Sequence, residues 1–139
     1  MKEDTVRFVA RITGMLLFVA VGLLNLAPGI GALAPSQFAT VYGVVDADAT
    51  STLLLRHRAV MLALLGVALL AAAAVPDWRR PVLVVAVIGK ASFIVLVATT
   101  AGADPKLTSV AFADVAALAA LAVAAVLTRA WTTRPPTSG

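Results

Sequence analysis

Lys90 occupies the costliest position in this sequence. It stands in Val87-Ile88-Gly89-Lys90-Ala91-Ser92-Phe93, in the middle of an apolar run. A lysine at the centre of a membrane-spanning helix costs about 2.5–3.5 kcal/mol on insertion scales, and from that depth it cannot easily reach water. It must face protein and find a partner. Asp114, in the following apolar run, is the counter-charge on offer. Counted outward from the turn Gly102-Ala103-Asp104-Pro105, the two residues differ in depth by about three positions, or about 4–5 Å at the helical rise. Such a pair has two uses. It can be a structural ion pair that fixes helix register, or a proton-linked or anion-binding group.

A second set is Arg56-His57-Arg58. Consecutive helical residues point about 100° apart, so all three cannot face one site, but two can border a pocket. His57 is a side chain that can carry protons near neutral pH. The competing use is an interfacial belt that holds lipid phosphates. Asn25 shares a stripe with Gly14, Phe18 and Gly22, where small residues permit close helix approach. Tyr42 belongs to the series Phe38, Val41, Tyr42, Val45, one face of a helix. Arg56, His57, Lys90, Asp114, Tyr42 and Asn25 are therefore the candidate pocket residues. Trp78, Phe93 and Phe112 read as packing or anchoring residues.

Several chemistries are excluded. The chain has no cysteine and one histidine, which removes thiolate nucleophiles, iron–sulfur clusters and zinc fingers and leaves too few soft ligands for a transition metal. It has no glycine-rich phosphate loop, no His-Glu-x-x-His and no paired-carboxylate motif. No catalytic residue, metal or cofactor is expected.

The elements that must position these residues follow from composition. Of 139 residues, 61% are hydrophobic and 13% charged, with a mean hydropathy of +1.00. A soluble domain of this size cannot hide so much apolar surface. The sequence predicts an all-α, integral-membrane four-transmembrane-helix bundle, a single membrane domain over 1–139. The spans are expected at about 10–28, 56–75, 81–101 and 107–128, each near the 20 residues that cross a hydrocarbon core. Lys2, Arg7 and Arg11 before the first run, with Ala32-Leu33-Ala34 after it, also have the grammar of a signal peptide. A first transmembrane helix is the preferred reading.

The connection from Pro28 to about Thr52 is expected to hold a short interfacial helix over Ser36 to Tyr42, between helices 1 and 2. Asp46 and Asp48 follow it, and Asp48, Thr50 or Ser51 can cap helix 2. Arg56, His57 and Arg58 are expected to open helix 2, and Arg79 and Arg80 to lie in the loop between helices 2 and 3. Residues 132–139 read as a disordered tail.

The net charge of +4 is distributed along these elements. Lys2, Arg7, Arg11, Arg79, Arg80, Arg129 and Arg134 fall on one side, against Arg56, Arg58 and Lys106 on the other. The positive-inside rule then places both termini in the cytoplasm, in a multi-pass protein of the cell inner membrane. Trp78 and Trp131 fall at that cytoplasmic interface. Nucleic acid is not expected as a partner.

Val41-Tyr42-Gly43, then Leu53-Leu54-Leu55-Arg56-His57-Arg58-Ala59-Val60, then Gly66 and Ala113-Asp114 give the chain a likeness over about residues 10–127. In these it resembles small uncharacterised bacterial four-helix integral membrane proteins, loosely DoxX-like. The resemblance implies a four-helix bundle and no settled activity. DoxX-like relatives have been linked to sulfur and redox chemistry as membrane subunits, and this chain lacks cysteine.

The expected function is binding of a small lipophilic or anionic ligand in a polar pocket of the outward half, or service as a membrane subunit. Two alternatives stand beside it: a proton-coupled small-molecule exporter, and a small membrane enzyme with His57 as base. The expected partners are the lipid bilayer and the ligand, with a homo-oligomer or a larger membrane complex also open.

Overall fold

The protein is described by a computed structural model over residues 2–34, 41–44 and 47–129. It comprises α1 (Lys2–Leu26), α2 (Gly29–Leu33), α3 (Ala49–Ala74), α4 (Pro76–Thr99) and α5 (Pro105–Arg129). All but α2 are long and apolar enough to cross a membrane, at 24–26 residues of high hydropathy. At 1.5 Å per residue such helices exceed the roughly 30 Å hydrocarbon core. The chain is thus all-helical, with the architecture of a multi-pass membrane protein.

The four long helices form a ring. α1 packs on α3 and α5, and α4 packs on the same two, so α1 and α4 face each other across a diagonal. Inside are Phe18, Leu69 and Leu121 among many alanines, including Ala59, Ala72, Ala86, Ala117 and Ala124. Outside, Leu16, Leu64, Ile88 and Val126 are exposed. Large apolar residues outside and small ones inside suit a lipid solvent, where helix association rests on close packing rather than on escape from water. The closest approaches are made by the Gly14–Gly22 stripe. A Cβ on Gly14 would meet the Thr128 side chain at 2.8 Å. Gly14, Phe18, Gly22 and Asn25 are all buried.

The helices begin earlier than the apolar runs do. α3 starts at Ala49, where the Asp48 carboxylate accepts a hydrogen bond from the Ser51 backbone N–H at 2.6 Å. That bond satisfies one of the four orphan donors of the helix start. It also holds the Asp48 carboxyl below the usual carboxylate range. Arg56, His57 and Arg58 therefore lie inside α3, two turns from its start, and do not open it.

Arg79 and Arg80 are likewise not in a loop. Val75 alone joins α3 to α4, and α4 begins at Pro76. Proline suits the first helical position, because its fixed φ is helical and its missing N–H has no partner there anyway. Pro81 sits inside α4, where the bond it forgoes would have used a first-turn carbonyl. Arg79 reaches back to the end of α3, its Nε donating to the Ala72 carbonyl at 3.0 Å and its Nη2 to that of Ala73 at 3.2 Å. The guanidinium thereby satisfies two carbonyls left open at the helix end.

In the connection between α1 and α3, the sequence did not mark α2, a five-residue helix that lies against α3. Of the helix expected over 36–42, Val41 and Tyr42 are helical; residues 35–40 lie outside the described residues. So do Asp46, Trp131 and the expected tail over 132–139.

Candidate functional site at the α4–α5 end of the bundle

The end of the bundle that joins α4 to α5 is built around Asp104. Its carboxylate accepts from the Lys106 backbone N–H at 2.8 Å and its carbonyl from Leu107 N–H at 2.9 Å, which caps α5 ahead of Pro105. The same carboxylate packs against Gly43, at φ +72°, leaving no space for a Cβ. A side chain there would be strained by both conformation and contact. Gly43 therefore brings the 41–44 segment onto the α4–α5 turn, and Tyr42 is buried beneath it.

Below Tyr42 lies Arg58. Its guanidinium carbon stands 4.0 Å from the centre of the Phe93 ring and 5.1 Å from that of Tyr42. Both distances are within the range of cation–π attraction. The side chain is half-buried, and among the described residues no carboxylate pairs with it. Both ring faces attract the cation without neutralising it.

One turn deeper on α4, three residues from Phe93, is Lys90. Its Nζ donates to Asp114 Oδ1 at 2.5 Å, with 4% of the Lys90 side chain and 14% of the Asp114 side chain exposed. Lys90 is nine residues from the end of α4 at Thr99, and Asp114 nine residues from the start of α5 at Pro105. Each therefore lies about 13–14 Å down its helix. The depth match read from the hairpin is realised as a direct ion pair. Each charge satisfies the other where both are largely buried, which is the condition for keeping either one.

The remaining candidates stand elsewhere. Arg56 is exposed, and its Nε donates to the Ala32 carbonyl at 2.8 Å, near the end of α2. His57 is exposed on α3. Asn25 is buried, and its Nδ2 donates to the Val21 carbonyl one turn back on α1 at 2.7 Å. The structure thus brings Tyr42, Lys90 and Asp114 to one end of the bundle and adds Arg58 and Phe93, which the sequence analysis did not place in the pocket. A signal for Arg58 was present. Gly66 marks the face of α3 that meets α1. At 100° per residue, His57 lies 180° from Gly66, while Arg56 and Arg58 lie about 80° to either side. One flank faces α2 and the other faces α4.

Among the described residues no group of three histidine, aspartate or glutamate side chains could hold a metal ion. Comparison of the chain with protein-family models, with curated proteins and with solved structures finds no match.

Proposed function

We propose that the protein binds a small amphipathic anion in the outer half of its bundle. The observation that carries this is Arg58, a half-buried cation held between Tyr42 and Phe93, with no carboxylate partner among the described residues. Asp114 is engaged by Lys90, so it does not neutralise Arg58. A guanidinium with its faces on aromatic rings keeps its edge N–H groups for an acceptor, and a carboxylate or phosphate suits that fork. The Tyr42 and Phe93 rings beside it suit a lipophilic tail.

The pairing of Asp114 with Lys90 counts against a proton-coupled exporter built on a free membrane carboxylate. The outward position of His57 counts against an enzyme that uses it as base. The proposal includes an inner-membrane location with both termini cytoplasmic, supported by Lys2, Arg7, Arg11, Arg79 and Arg80 at one end of the bundle. It also includes the likeness to small DoxX-like bundles, which contributes architecture and no activity, and an interfacial position for the segment that carries Tyr42.

Thermal unfolding of the purified protein in a nonionic detergent tests the reading, with decanoate as the probe and decyltrimethylammonium as the charge-reversed control. Decanoate should raise Tm by about 3 °C at saturating concentration through selective binding to the folded state. The cationic control should not, and Arg58→Gln should lose the decanoate shift. Equal shifts from both amphiphiles, or a shift kept by Arg58→Gln, would overturn the proposal.

A further inference from the structure

At the opposite end of the bundle, α3 and α4 leave an open groove of about 680 Å³ on the outside of the molecule. Its walls are apolar side chains, among them Met61, Leu64, Ala68 and Val85, and one end carries Asp77 and Trp78. Asp77 is two residues from the Val75 corner and Met61 fourteen. The groove therefore extends over about 18 Å of helix axis, close to half of a roughly 30 Å hydrocarbon core. It has the length of one leaflet. Met61, Leu64, Trp78 and Val85 are each more than half exposed, so an occupant would enter from the bilayer.

We infer that this groove is a lipid site selective for a phospholipid with a primary-amine headgroup. The apolar trough fits one acyl chain. Trp78 marks the headgroup level, where amphipathic rings sit. The selectivity comes from Asp77, a carboxylate at the mouth with no cationic partner among the described residues. It stands at an end of the bundle otherwise rich in arginine, where a general attraction would favour anionic lipids. A primary ammonium offers three N–H donors to that carboxylate, and a quaternary one offers none. Arg80, one turn along α4 and exposed, suits the phosphate of the same headgroup. The site is independent of Arg58 and of the anion reading.

Native mass spectrometry of the full chain, in detergent with equal amounts of phosphatidylethanolamine and phosphatidylcholine of identical acyl chains, tests this. Both lipids carry the same phosphate, so the basic end does not distinguish them. The wild type should retain the ethanolamine lipid about two- to fivefold over the choline lipid, the range of one solvent-exposed ion pair. Asp77→Asn should abolish the preference while lipid still binds, and Ala68→Phe should reduce retention of both. Equal retention by the wild type overturns the inference, as does a preference that survives Asp77→Asn. A lipid-free dimer that Ala68→Phe dissociates would assign the groove to a second copy of the chain instead.

Discussion

Gly22 and Gly66 touch backbone to backbone. A Cβ on Gly66 would stand 2.7 Å from the Gly22 carbonyl oxygen, and one on Gly22 would stand 3.1 Å from that of Gly66. Neither carbonyl can swing aside as a side chain can, so the crossing of α1 and α3 depends on both hydrogens.

Gly66→Ala should therefore destabilise the bundle by about 1–3 kcal/mol, the cost of overpacking a tight interface. Gly89→Ala is the matched control, because nothing lies within 4 Å of a Cβ there. It should be neutral or slightly stabilising, since alanine favours a helix more than glycine does. Thermal unfolding of both variants in one detergent checks the pair, and equal losses would contradict the contact.

The Lys90–Asp114 bridge makes a second expectation. Lys90→Met and Asp114→Leu should each cost about 3–5 kcal/mol, because each leaves a buried charge unpartnered. The double variant should recover part of the loss. A double-mutant cycle measures this, and additive losses would contradict direct pairing.

Asp48 supplies a pH dependence. The Ser51 hydrogen bond holds its carboxyl below the usual carboxylate range. The cap therefore contributes its full stability above the unfolded value and loses it as pH falls through the lower folded value. The Ser51 amide shift, followed by NMR, should titrate with a midpoint below that of an ordinary aspartate, and Asp48→Asn should remove that titration.

Orientation can be read by labelling, since the chain has no cysteine of its own. Cysteines placed singly at Ala101 and Lys2 lie at opposite ends of the bundle. With cytoplasmic termini, an impermeant thiol reagent on intact cells should label the first and spare the second. The reverse pattern would invert the topology.

How far the sequence could be read depended on what each signal measures. Hydropathy located four crossings, because the bilayer rewards apolar length. The depth of Lys90 and Asp114 followed from counting, because α4 and α5 share one short turn. Helix phase was harder to read. In lipid the outer face of α3 is as apolar as the inner, so its pattern did not show which of Arg56, His57 and Arg58 turns inward. The Asp48 cap ahead of Ala49 was legible, but the apolar run put the span later, and the start of α4 at Pro76 was read as a loop. Polar residues after the Asp48 cap of α3, and Asp77, Arg79 and Arg80 after Pro76 in α4, extend these helices past the apolar runs. The fold of Tyr42 over Arg58 rests on the Gly43–Asp104 contact, which links residues far apart in sequence and leaves no periodic trace.

The ion pair also bears on how the chain enters its membrane. Delivered alone, α4 would bring an unneutralised ammonium into the bilayer interior, and α5 an unneutralised carboxylate, each at about 2.5–3.5 kcal/mol. Delivered together, with Lys90 already on Asp114, the two helices enter as an electrically neutral hairpin. The cheapest biogenesis is one in which α4 waits at the insertion machinery until α5 has been synthesised.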